Sequence, residues 1–309
     1  MTEAELIGRL AHLVLGVLVT ATAVTWGLGM VKPTMRLGEV RARIWAWWVM
    51  APLIFVGVVV SRSMSTAFFC ILSLVAFREY LRLLPERPAD RTARLLCVLA
   101  IPIQYWWIHT GWYMMFVIFI PVYVFLVIPM GLVLSREASG FVQAAAELNW
   151  GLMAFVFGLS HLAYMVTCPA PAGSAVTGRA MVLFLIFVVE INDVLQFVWG
   201  KTLGRHKILP TISPHKTWEG FVGGTASAVA VSLLLRYLTP FSVVETIAVG
   251  ALITVAGFFG GAVMSAVKRD FGVKDFGQLI PGHGGVLDRV DSLVYAAPVF
   301  FHFVQYFHY

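Results

Sequence analysis

The chain alternates long apolar runs with short polar connections. A helix of about 20 apolar residues is long enough to cross the hydrocarbon core of a bilayer. Such runs fall at approximately 10–31, 44–60, 65–83, 92–108, 112–134, 148–167, 178–199, 219–237, 244–264 and 292–308. The fourth and the last are short for a full crossing. The pattern predicts an all-α polytopic membrane protein with about nine to ten spans. It shows no soluble domain and no internal repeat.

Two places break the pattern. The run after Arg179 turns polar at Glu190, followed by Asn192, Asp193 and Gln196. Glu190 and Asp193 are three apart, so they are neighbours on one helix face. Ionisable groups inside a span cost about 2.5–3.5 kcal/mol each. They point to a hydrated cavity, with an interhelical hydrogen-bond cluster as the alternative. The second place is Ser265–Asp291. It gathers Asp270, Asp275, Asp288, Asp291, Lys268, Arg269, Lys274, Arg289 and His283 between two apolar runs. So polar a segment needs a membrane surface or a water-filled cavity.

Composition strengthens the membrane assignment. The 309 residues are 60% hydrophobic and 12% charged, with mean hydropathy +0.85. A soluble domain carries roughly twice that charge. Cys70, Cys97 and Cys168 are scattered, without metal-ligand spacing, and read as buried thiols. The start, M-T-E-A-E-L, lacks the basic region of a signal peptide. His12, His109 and His161 read as packing residues.

Charge then sets orientation. With Ser265–Asp291 placed inside and the spans alternating, only Arg9, Arg62, Arg179 and Arg236 of the 22 Lys and Arg fall outside. Basic residues concentrate on the cytoplasmic side. The asymmetry predicts a cytoplasm-facing polar site in a bacterial inner membrane. It also predicts an outer N-terminus, with the C-terminus outside or at the membrane. The net charge of +6 suits anionic lipids and nucleotides and gives no pointer to nucleic acid.

The polar segment has a recognisable pattern. It runs S-x-apolar-K-R, four residues, K-D-x-small, then P-x-H-G-G-apolar-x-D-R-apolar-D. Ser265, Lys268, Arg269, Lys274, Asp275, Gly277, Pro281, His283, Gly284, Gly285, Asp288, Arg289 and Asp291 carry it. This resembles the phosphatidate cytidylyltransferase (CDP-diacylglycerol synthase) family, and so many fixed positions are too specific for chance. A second stretch resembles the same family: Asn192-Asp193, Gly200, Gly204, and Ser213, Pro214, Lys216, Thr217, Trp218, Glu219 and Gly220. Gly200-Lys201-Thr202 is not a P-loop, because the required upstream glycine is Leu195. The resemblance divides the chain into N-terminal membrane helices, 1–175, and a catalytic membrane region, 176–309.

The resemblance implies transfer of the cytidylyl group of CTP to phosphatidate, within a lipid bilayer, with Mg²⁺ and with room for a homodimer. Both substrates are anions, so catalysis is mostly positioning and charge neutralisation. The implied catalytic set is Asp288, Lys268, Arg269, Lys274 and Asp275. Asn192, Asp193, Ser213, Lys216, Ser265, His283, Gly284, Gly285 and Arg289 would bind substrate. Asp288, Asp291 and Asp275 would hold the metal.

If the last helix starts near Asp288, Asp288 and Asp291 share a face at its start, where backbone N–H groups favour phosphate. Ser213 either caps the following helix or bonds a phosphate. Gly223 and Gly224 predict close helix packing. One position departs from the family: Gly261 stands where its members carry an aspartate, four residues before Ser265. Two other readings remain: a paralogue acting on another lipid phosphate or with reduced activity, and a transporter using Glu190 and Asp193 as a proton relay.

Overall fold

The computed structural model describes residues 2–31, 37–280, 282 and 284–309, without the side chain of Glu39. The expected His283 and Pro281 lie outside the described residues. All ten apolar runs coincide with helices. Seven are long and apolar enough to cross a membrane. These are α1 (Glu3–Val31), α2 (Gly38–Val59), α3 (Arg62–Leu81), α5 (Tyr113–Val133), α6 (Phe141–Thr167), α7 (Gly178–Thr202) and α9 (Val243–Asp270). Between them stand α4 (Arg91–Thr110), α8 (Trp218–Leu234) and the final α11 (Leu293–His308). A four-residue helix, α10 (Leu287–Val290), precedes α11.

The core lies where α3, α6 and α11 meet. Tyr80 packs against Trp150, Phe155 and Phe271. Phe116, Tyr164, His161 and Phe301 form a second aromatic group. His161 Nδ1 donates to Phe157 O within its own helix (2.8 Å), a packing role. Polar groups in this core find partners across helices. Ser73 and Tyr105 bond at 2.6 Å, and Gln104 donates to Phe116 O at 3.0 Å. α1 is different: only Leu6, Ile7, Leu10 and Thr25 are buried, so most of it faces lipid. The three cysteines are free thiols.

The connections sort by end. At one end Arg62 donates to Ile108 O (3.0 Å), and Tyr309 reaches Pro169 O. Arg87, the α5–α6 turn at Gly140, the β-hairpin 207–217 and the motif segment gather at the opposite end. There Arg87 donates to Gly140 O (3.2 Å), and Arg269 reaches Ile212 O (3.4 Å). Apart from Lys32 and Arg36, which lie outside the described residues, the loops predicted to share the basic side share one end of the bundle.

The hairpin pairs β1 (Lys207–Leu209) with β2 (Ser213–Thr217), antiparallel. It leads straight into α8. Thr217, not Ser213, caps that helix: its Oγ1 accepts the Gly220 N–H at 3.1 Å. Ser213 opens the strand four residues too early to reach the first turn.

α8 packs along α7 through glycines, as predicted. A Cβ at Gly224 would collide with the Gln196 side chain and lie 2.8 Å from Gln196 Cα. At Gly223 it would lie 2.7 Å from the Trp199 ring.

Candidate active site

Five elements meet at the polar end of the bundle: the C-terminal halves of α7 and α9, strand β2, the start of α8, and the residues between α10 and α11. Between them lies a cleft of about 220 Å³. Asp193 enters it from α7, Lys216 from β2, Gly261 and Ser265 from α9, and Asp291 and Ser292 from the final turn. The Ser292 hydroxyl ties the two carboxylates together. It donates to Asp193 Oδ2 at 2.7 Å and lies 3.4 Å from Asp291 Oδ1.

The electrostatics of the cleft are mixed. Burial pushes the Asp291 carboxyl above the ordinary aspartate range, against the pull of Lys268, Arg289 and Lys216. Burial likewise lowers the Lys216 ammonium, against the pull of Asp193 and Asp291. Lys216 sits over the Phe258 ring, 4.4 Å from its centroid. Its Nζ lies 3.4 Å from where a Cβ at Gly261 would be. The space left by that glycine therefore borders an ammonium group and the Ser292 hydroxyl. Arg289 Nε is buried and, among the described residues, has no hydrogen-bond partner. A phosphate oxygen would satisfy it.

Asp288 takes a different place from Asp291. The sequence suggested one helix face for both. The backbone stays helical at Asp291 and Ser292, between α10 and α11, but the two side chains take different partners. Asp288 is 6% exposed. Its Oδ1 accepts from Lys268 Nζ at 2.9 Å. Its Oδ2 accepts the N–H groups of Phe276 and Gly285, each at 2.9 Å. Gly284 has φ +82°, a backbone state that suits glycine, and a Cβ there would lie 2.7 Å from Asp288 Oδ2. The glycine turn thus lets Asp288 reach the backbone.

The N–H groups of Val286 and Leu287, just before Asp288, are taken by Glu79. Nothing in the motif pattern signals Glu79. A weaker signal exists, since it is the one acid in the apolar run 65–83.

The remaining predicted residues divide. Asn192 is fully buried behind Asp193, donating to Thr254 O at 3.4 Å and accepting from Gln196 at 3.1 Å. Ser265 donates to Gly261 O at 2.7 Å on the cleft wall. Lys274, Asp275 and Arg269 lie on the exposed outer surface of the loop. Ser213 is half-buried in β2. Glu190, one turn before Asp193 on α7, borders a separate apolar hollow of about 300 Å³ between α1, α2 and α7.

Asp193, Asp291 and Ser292 form a set of hard oxygen donors. Among the described residues no three His, Cys, Asp or Glu side chains converge on one point. Two carboxylates without a closed cage fit Mg²⁺, which keeps waters and takes the rest of its shell from substrate phosphates.

A polytopic helical bundle with carboxylates and cations gathered at one end is the class of molecule that fold and cleft define. The sequence profile of the cytidylyltransferase family matches residues 41–307, and the chain belongs to that family. It is 39% identical over 307 residues to the uncharacterized protein YnbB of Escherichia coli (strain K12), covering 99% of each chain. It is 40% identical over 124 residues to the phosphatidate cytidylyltransferase of Staphylococcus aureus (strain COL). That match covers 40% of this chain and 48% of the other. The corresponding enzyme of Staphylococcus haemolyticus (strain JCSC1435) is 34% identical over 169 residues, covering 54% and 61%.

Proposed function

We propose that the protein transfers the cytidylyl group of CTP to phosphatidate, giving CDP-diacylglycerol and pyrophosphate, at the cytoplasmic face of a bacterial inner membrane. The observation that carries this reading is the Asp193–Ser292–Asp291 group facing Lys216 in one cleft, built from the two family-like stretches. The basic asymmetry of the loops supports the cytoplasmic side, where CTP is available.

In the reaction an oxygen of the lipid phosphate attacks the α-phosphorus of CTP. The bond from that phosphorus to the bridging oxygen breaks, and pyrophosphate leaves with the electron pair. The lipid phosphate is already ionised, so no general base is required. Asp193 and Asp291 would hold Mg²⁺, with Ser292 orienting both carboxylates. When bound, Mg²⁺ neutralises phosphate charge and helps the leaving group depart. Lys216 contributes a positive charge at the cleft wall, and Arg289 offers its unpartnered Nε to a phosphate oxygen. Lys268 is committed to Asp288 and acts by holding the turn.

The apolar hollow between α1, α2 and α7 supports a lipid substrate. Its walls are membrane helices, and α7 separates it from the cleft by the width of one helix.

Isolated membranes containing the protein, supplied with labelled CTP and phosphatidate, are expected to form labelled lipid with Mg²⁺ and none with excess chelator. A parallel series with lysophosphatidate and polyprenyl phosphate reads the substrate class. Label entering only one of those alternatives would replace phosphatidate in the proposal. No label in any lipid would overturn it.

A further inference from the structure

Glu79 stands at the inner end of α3, more than 200 residues from the turn it touches. It is 5% exposed. Oε1 accepts the Val286 N–H at 3.0 Å, and Oε2 accepts the Leu287 N–H at 2.9 Å. Among the described residues no cation forms an ion pair with it. A carboxylate buried on backbone N–H groups alone is costly unless those bonds are kept. The surrounding chain makes room for it. A Cβ at Gly277 would lie 2.7 Å from Oε1, and one at Gly285 2.5 Å from Oε2.

The contact completes a clasp. Asp288 holds the N–H groups of Phe276 and Gly285 from one side of the turn. Glu79 holds the next two from the other side. Arg289 and Asp291 follow directly, and their directions depend on where this turn sits.

We propose that Glu79 is a positioning residue for the transfer reaction. It fixes the Gly284–Leu287 turn against α3 and so sets how Asp291 enters the cleft and where Arg289 stands near it. The kinetic part of this proposal rests on the reaction proposed above; the structural part does not. A displacement of about 1 Å at a reacting centre costs about a hundredfold in rate. Glu79→Gln keeps the size and one acceptor, but turns an NH₂ group toward the second N–H. Glu79→Asp keeps the charge with a shorter reach.

Hydrogen exchange and steady-state kinetics on the purified full chain test the proposal together. Glu79→Gln is expected to speed exchange of peptides covering 284–290 at least about tenfold, leaving α7 and α11 at wild-type rates. It is expected to lower kcat by about 10- to 100-fold, with KM for CTP within about threefold. Glu79→Asp should recover part of kcat. Gly277→Ala, which leaves Glu79 in the chain but crowds its Oε1, should give the same local exchange signature. If Glu79→Gln does not fold, Gly277→Ala decides by the same two readouts.

Wild-type exchange at 284–290 in the folded variants overturns the proposal. So does faster exchange there with kcat unchanged, or faster exchange throughout the protein. Should wild-type protein transfer no cytidylyl group to any lipid, the reaction falls, and the exchange data still decide whether Glu79 holds the turn.

Discussion

Asp288 and Asp291 are three residues apart and occupy opposite conditions. Around Asp288 every oxygen is used: one by Lys268, the other by two backbone N–H groups. Around Asp291 the chain collects a second carboxylate, a hydroxyl and an ammonium in one cleft, and burial raises its pKa. A buried charge with all its partners supplied by the protein is architecture. A buried group of like charges is retained at a cost, and such groups mark places where a ligand supplies the missing partner. The difference separates what holds the motif segment in shape from what acts on substrate.

The largest test of that division is Asp291→Asn. Removing a carboxylate from the cleft is expected to reduce cytidylyl transfer about a thousandfold, the scale of losing a key electrostatic group. Thermal stability, measured without Mg²⁺, should stay the same or rise, because a buried charge near Asp193 has gone. A fall in melting temperature would place Asp291 with Asp288 as a structural group.

Asp288→Asn sharpens the comparison from the other side. It leaves Lys268 without its counter-charge, and breaking a buried pair this way costs about 3–5 kcal/mol. Transfer is expected to fall about a hundredfold together with a clear drop in melting temperature. Normal stability with lost activity would move Asp288 into the cleft's chemistry.

Gly224→Ala acts on the scaffold alone. The added methyl meets Gln196 and its backbone, so α7 and α8 must separate. A destabilisation of about 1–3 kcal/mol is expected from overpacking, read as a lowered melting temperature in detergent.

The smallest effect is expected at Gly261→Asp. Its Cβ would stand 3.4 Å from both Lys216 Nζ and Ser292 Oγ, so the new carboxylate would meet the ammonium first. Saturating activity is expected within about threefold of wild type, on the scale of a modest ion-pair change. A titration of transfer against Mg²⁺ checks it. A marked gain at low Mg²⁺ would mean that Asp193 does not make up for the glycine.

Much of this was legible in the chain. All ten apolar runs became helices, and among the described residues seven of the expected nine to ten are long and apolar enough to cross a membrane. Asp193, Lys216, Ser265 and Asp291 were marked by pattern and meet in the cleft. The parting of Asp288 and Asp291 was not legible. L-D-R-V-D-S-L-V reads as one continuous helix, and the difference depends on partners far away in sequence: Lys268 and the Phe276 N–H for Asp288, and Asp193, which Ser292 ties to Asp291. Glu79 was hidden for a similar reason. Beside Arg78 and Arg82 it looks like an interfacial charge, and its role exists only once α3 lies against the distant turn.

Two of the helices flanking the cleft are short. α8 has 17 residues and α11 has 16, so they reach about 26 and 24 Å along their axes. The hydrocarbon of a bilayer is about 30 Å thick. Lipids beside a helix that is too short respond by thinning locally, at a small cost for each ångström of mismatch. α11 is mostly buried, but α8 turns Trp218, Val222, Leu233 and Leu234 outward; the leaflet beside α8 is therefore drawn inward, and its phosphate groups descend toward the depth of the cleft. In this way the bilayer itself shortens the distance a lipid headgroup must travel to be used. Activity should accordingly depend on the thickness of the host membrane.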